Sequence, residues 1–126
     1  MTRLATAGVP AVLGGSGLLA AHGLVDHVGD WDITTEGEVA AIAALFADRP
    51  HEICGNSGIH ADHKVRLAGG VVEIICGFAI RSGDAVVRIP TLVSARAEGI
   101  PLGSPEAWAV AYALLGRVEK SERLLR

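Results

Sequence analysis

Gly14-Gly15-Ser16-Gly17, followed a short way downstream by Asp30-Trp31-Asp32, is the stretch on which the reading of this chain turns. On a strand, residues i and i+2 point to the same face, about 7 Å apart along the backbone. Asp30 and Asp32 are therefore expected side by side, with Trp31 turned the other way into apolar packing. Two neighbouring carboxylates repel each other and add little to a fold. Around a hard divalent cation such as Mg²⁺, which takes oxygen ligands, they become favourable. The glycine turn offers free backbone N–H groups that can hold a phosphate where a helix begins. Together the two stretches point to a nucleotide and metal site. The alternative is an exposed acidic strand end beside an ordinary strand-to-helix turn.

Short strands and helices are expected on either side. Pro10 to Leu13 reads as a buried strand ending at the glycine turn. Ser16 to Ala21 reads as a helix stopped by Gly23, and Gly29 to Thr34 as a second strand carrying the aspartate pair. Glu36 to Ala47 reads as a helix with Val39, Ile42, Ala43, Leu45 and Phe46 on its apolar face, ended by Arg49-Pro50.

The middle of the chain is β in character. Glu52 to Cys54, Ala61 to Leu67 and Val71 to Gly77 are expected strands, the last two joined through a Gly69-Gly70 hairpin turn. Within Val71-Val72-Glu73-Ile74-Ile75 the one charged residue is Glu73. A carboxylate there needs a reason, because burying it unpaired is costly. Val86 to Ile89 suggests another short strand. Ser104-Pro105-Glu106 is a helix start, with serine as N-cap, proline at the first helical position and an acid in the first turn. That helix is expected to run through Trp108, Tyr112 and Leu115 to Gly116, with a second from Arg117 or Val118 towards Leu125.

At 126 residues the chain is expected to be one domain, 1–126, burying about two-thirds of its unfolded surface. Half of the residues are hydrophobic but only 4% are aromatic, so the core is built from Ala, Val, Leu and Ile. A net charge of −3 argues against a general nucleic-acid binder. No apolar stretch approaches a membrane span, and Met1-Thr2-Arg3-Leu4-Ala5 lacks the apolar run of a signal peptide. A cytoplasmic location is expected, with Cys54 and Cys76 as reduced thiols.

With Glu73 added to Asp30 and Asp32, the chain resembles the nucleotidyltransferase superfamily that includes DNA polymerase beta. Its pattern is a Gly-Ser turn, a downstream Asp-x-Asp and a third carboxylate on a later strand. Here these are Gly15-Ser16, Asp30-Trp31-Asp32 and Glu73. The match is closer to small stand-alone bacterial and archaeal nucleotidyltransferase-like proteins. Their C-terminal signature is similar to Leu115-Gly116-Arg117-Val118-Glu119-Lys120, preceded by an Ile-Pro and a Ser-Pro-Glu helix start. The resemblance runs from about Pro10 to the end. Two departures stand out. Only about nine residues precede the first strand, where family members often have a full helix, and there is little room for the helical domain of larger relatives.

The resemblance implies an α+β fold: a minimal nucleotidyltransferase fold with a mixed twisted sheet, helices mainly on one face and a C-terminal helical pair. It implies Mg²⁺-dependent transfer of a nucleoside monophosphate from a nucleoside triphosphate to an unidentified acceptor hydroxyl. Asp30 and Asp32 would be shared ligands of two Mg²⁺ ions about 4 Å apart. Glu73 would complete the metal site on the acceptor side and act as general base. Gly14, Gly15 and Ser16 would hold the phosphates, with Arg117 and Lys120 as cationic partners. Lys64 and Arg66 are further candidates by their place on the middle strands. Arg117 and Lys120 can equally be a solvated helix end. The competing functional reading is a catalytically idle nucleotide-binding or protein-interaction module, such as one half of a toxin–antitoxin pair. A homodimer or a separate partner subunit is expected from the small size.

Other residues carry weaker signals. Cys54, His60 and His63 could bind zinc, but their spacing matches no common finger; exposed histidines and a buried Cys54 are the expectation. His22 and His27 could line the pocket mouth or sit on a surface loop. Trp108 and Tyr112 share a helical face, for core packing or for base stacking.

Overall fold

Ala11-Val12-Leu13-Gly14 is buried along its whole length, as a strand enclosed on both sides must be, and it forms β1 near the middle of the sheet. The computed structural model describes residues 2–55, 59–60 and 62–125. In chain order the elements are α1 (Thr2–Thr6), β1 (Ala11–Gly14), α2 (Gly15–Ala21), β2 (Trp31–Thr35), α3 (Val39–Leu45), β3 (His51–Cys54) and β4 (His63–Leu67). A tight hairpin turn at Ala68–Gly70, whose three residues all take positive φ, leads to β5 (Val72–Cys76), followed by β6 (Ala79–Ser82), β7 (Ala85–Arg88), β8 (Ala95–Ala97) and β9 (Ile100–Leu102). The chain then enters α4 (Pro105–Leu114) and α5 (Val118–Leu125).

Seven strands make one mixed sheet in the order β3-β4-β5-β2-β1-β9-β8, and β6 and β7 form a separate hairpin. β2 runs parallel to β5 and antiparallel to β1. The fold class implied by the resemblance, a mixed sheet with helices and a C-terminal helical pair, is what the chain adopts.

The core has two parts. Leu4, Ile33, Ile42, Phe46, Val65 and Ile74 form a cluster to which α1 and α3 contribute. Leu13, Leu18, Leu19, Phe78, Ile80, Leu102, Trp108 and Leu124 form the other, which ties the C-terminal helices to α2 and the β6–β7 hairpin. α4 starts as its sequence dictates: Ser104 Oγ accepts the Ala107 N–H at 3.2 Å and Pro105 opens the helix. Gly116 takes φ +77°, which lets the chain turn sharply into α5. The Ser121 hydroxyl then donates to the Ala109 carbonyl at 2.7 Å, fastening α5 to α4.

Several boundaries differ from expectation. The N-terminal residues form a short helix after all, held because Leu4 is buried and Arg3 binds the Asp48 carboxylate and the Leu45 carbonyl. β8 and β9 are not legible from pattern, being three residues each and interrupted by Arg96 and Pro101. They are held by a turn in which Glu98 and Gly99 both take positive φ and by pairing of Leu102 with Leu13. The expected strand start at Ala61 falls outside the described residues. No helix among the described residues is long and apolar enough to cross a membrane.

Candidate active site

The glycine turn and the acidic residues meet through strand register. Gly14 pairs with Asp32 across β1–β2, Asp32 with Glu73 across β2–β5, and Glu73 with Arg66 across β5–β4. Directly paired residues share a face, so these four positions form one row across four strands. One step along the same face comes the row Val12, Thr34, Ile75 and Lys64. Asp32 and Glu73 are thus forced together by a parallel pairing that neither local sequence records.

Gly14 and Gly15 are glycines for different reasons. A β-carbon on Gly14 would strike the Trp108 ring, which lies over the backbone there. Gly15 takes φ +56°, and a β-carbon on it would come within 2.5 Å of Asp32 Oδ2. α2 begins at Gly15 with no side-chain cap on its first N–H groups.

These elements enclose a cavity of about 400 Å³, lined by Ser16, Gly29, Asp30, Asp32, His60, Lys64, Glu73, Ile75, Phe78, Trp108, Tyr112, Leu115, Arg117 and Lys120. All three predicted carboxylates, the serine, and both predicted C-terminal cations therefore line one space. Asp30 lies just before β2 and is exposed, while Asp32 is partly buried. Gly14 and Gly15 are buried beneath the cavity wall rather than lining it. A larger cavity of about 600 Å³ lies between α1 and the β8–β9 hairpin, with an apolar lining apart from Thr6, Arg96 and Glu98. It holds none of the convergent acids, all of which line the smaller one.

The electrostatics of the smaller cavity are those of crowded negative charge. Burial pushes the Asp32 carboxyl up to about 6, and repulsion from Glu73 and then Asp30 adds to the rise, opposed by Lys64 and Lys120. Lys64 Nζ lies 3.1 Å from Glu73 Oε2. Burial also raises the Tyr112 hydroxyl to about 12, helped by Asp32 and opposed by Arg117. The Lys120 ammonium sits 5.4 Å from the centre of the Tyr112 ring.

A divalent cation fits this donor set. The acids would supply hard oxygen ligands, and a cation would offset the burial, and after it the repulsion from Glu73, that raises the Asp32 carboxyl. Among the described residues, however, no three His, Cys, Asp or Glu side chains are already gathered as a metal-holding group.

Three expectations need correction. Trp31 is 40% exposed rather than packed in the core, because it stands at the first position of β2, beside exposed Val71 where the sheet meets solvent. Cys54 is half-buried, with its thiol 3.5 Å from Glu52. Cys54 pairs with Lys64, so it shares Lys64's face, whereas the adjacent His63 points to the opposite one. That alternation separates two members of the suggested zinc cluster. His60 is the residue that sequence reasoning undervalued. A bridge to Ile80 and its approach to Phe78, 6.3 Å between ring centres, bring it to the cavity. No local signal marks that role. His22 and His27 are exposed and do not line the cavity. Trp108 and Tyr112 are core residues whose edges also reach the cavity wall.

No protein-family model and no curated protein matches the chain. Solved structures do. A protein of Thermotoga maritima, provisionally assigned as a nucleotidyltransferase, is 29% identical and superposes with a TM-score of 0.71, over 98% of this chain and 84% of that one. The antibiotic-resistance factor ANT(2'')-Ia in solution matches with a TM-score of 0.64 at 15% identity, over 98% of this chain and 77% of that one. The same factor in complex with adenylyl-2''-tobramycin gives 0.62 at 14% identity, over 98% and 82%. The chain has a nucleotidyltransferase-like fold.

Proposed function

We propose that this protein transfers a nucleotidyl group from a nucleoside triphosphate to an acceptor hydroxyl. The observation that carries this reading is the convergence of three carboxylates and three cationic side chains, with Ser16, on one cavity at the glycine turn. Likeness to the Thermotoga maritima protein and to ANT(2'')-Ia supports it.

The acceptor oxygen would bond to the α-phosphorus while the bond to the pyrophosphate oxygen breaks and pyrophosphate leaves. Mg²⁺, held by Asp30 and Asp32 with Glu73, would supply charge neutralisation for the attacking and leaving oxygens. Glu73 would receive the hydroxyl proton. The Ser16 hydroxyl and the uncapped N–H groups at the start of α2 would bind the terminal phosphates, and Arg117 and Lys120 would offset their charge. Positioning and electrostatic stabilisation would account for most of the rate. The cavity volume is in the range that accommodates one small-molecule ligand.

The Lys64–Glu73 contact favours one rival reading, an idle module that binds nucleotide without turnover, since the third acid is already engaged. Calorimetric titration of ATP and GTP, with and without Mg²⁺, into wild type and Asp32→Asn separates the possibilities. Metal-dependent binding that weakens at least about tenfold in the variant supports the transferase site. Binding that ignores Mg²⁺ and Asp32 favours the idle module. No binding under any condition would overturn the stand-alone enzyme.

A further inference from the structure

Two cations face Glu73 from the neighbouring strand. Arg66 is directly opposite it in the antiparallel pair, and Lys64, opposite Ile75, is its diagonal neighbour on the same face. A diagonal partner is within reach of a long side chain. It is the diagonal lysine that makes the contact, at 3.1 Å, with each side chain 21% exposed. Arg66 is drawn elsewhere: its guanidinium is 4.0 Å from Glu52 and packs against Gly70. A positive charge therefore sits among the carboxylates of the cavity, bonded to the one acid that a metal on the acceptor side would need.

We propose that Lys64 is a built-in counter-ion that competes with a divalent cation for Glu73, so that metal entry releases the lysine into the cavity where a polyphosphate would lie. This inference rests on the metal-dependent reading of the same site. An ammonium and a divalent cation repel each other, so holding both against one carboxylate in a partly desolvated cavity is costly and each weakens the other's hold on it. The pair is buried enough to matter and exposed enough to open. Lysine suits such an exchange, being a point charge on a flexible four-carbon stem. Asp32 and Asp62 also feel the Lys64 charge, and the phosphates of a nucleotide in the cavity that Lys64 lines would add to that negative charge. Metal and polyphosphate should then each raise the other's affinity, because Lys64 serves the carboxylate or the phosphate but not both.

The test uses Mn²⁺ alone as the probe, with free ion followed by electron paramagnetic resonance, titrated into wild type, Lys64→Met and Lys64→Arg. Lys64→Met should bind Mn²⁺ about tenfold more tightly than wild type, because the competitor is gone while the aliphatic stem remains. Lys64→Arg should bind about threefold more weakly, since a guanidinium can hold the carboxylate with two parallel bonds. At saturating Mn²⁺, where the lysine is released, ADP should bind Lys64→Met more weakly than wild type, and an equal affinity there overturns the release. Equal or weaker Mn²⁺ binding by Lys64→Met, with Asp32→Asn still abolishing binding in both backgrounds, overturns the counter-ion role and leaves the metal site standing. Mn²⁺ binding that is absent in all proteins, or indifferent to Asp32→Asn, overturns both. If circular dichroism shows Lys64→Met to be unfolded, the arginine arm decides alone: binding as tight as wild type or tighter overturns the proposal.

Discussion

Gly15 and Asp32 are packed so closely that a β-carbon on the glycine would lie 2.5 Å from the Asp32 Oδ2 atom. The turn and the acidic strand thus behave as one unit. Gly15→Ala combines a strained left-handed backbone with this contact and is expected to cost about 1–3 kcal/mol. Part of that cost should vanish in an Asp32→Ala background, where the carboxylate is absent. Urea denaturation of the four proteins in the cycle measures it. Strictly additive losses would show that backbone strain alone accounts for the glycine.

The Asp32 carboxyl supplies a pH signature. Its folded value of about 6 lies above the ordinary 3.8, so between these values the folded chain holds a proton that the unfolded chain has released. The corresponding stability is complete below about pH 3.8 and is lost as pH rises through about 6. It amounts to a loss on the order of 2–3 kcal/mol at neutral pH. Asp32→Asn is therefore expected to be more stable than wild type at pH 7, with the difference closing towards pH 4. Thermal melts of both proteins across that range test it, and a difference that grows on acidification would reverse the assignment.

Arg117 and Lys120 line the cavity from the C-terminal segment without entering the apolar core. Arg117→Ala and Lys120→Ala should each leave stability within about 0.5 kcal/mol. Each should weaken ATP binding about tenfold at low salt, with the deficit shrinking as ionic strength rises. Calorimetry at two salt concentrations checks both statements. Unchanged affinity would return these cations to the role of a solvated helix end.

Ser104 caps α4 through its hydroxyl, so Ser104→Ala should cost about 1 kcal/mol and Ser104→Thr much less. A melting temperature lowered by about 3–6 °C in the alanine variant alone is the expected readout. Although α4 carries Trp108 and Tyr112 to the cavity wall, Ser104 itself does not line the cavity, so nucleotide affinity should stay within about threefold of wild type once the variant is folded.

What the chain's order of residues determined by itself was local. Periodicity located α3, α4 and α5, the Ser104-Pro105 start and the Gly116 stop, because helix capping and apolar spacing act over a few residues. Spacing singled out the glycine turn with Asp30 and Asp32, whereas Glu73, Arg117 and Lys120 joined them as a set only through resemblance to the nucleotidyltransferase superfamily. Tertiary structure decided what those residues touch. The parallel pairing of β2 with β5 brought Asp32 beside Glu73 across some forty residues of chain. The diagonal register of β4 on β5 gave Glu73 to Lys64 rather than to Arg66. Strand alternation set Cys54 and His63 on opposite faces, and a bridge to Ile80 carried His60 to the cavity. Strand pairing is non-local, its register set by the packing of whole faces and by the connecting turns, so no window of sequence contains it.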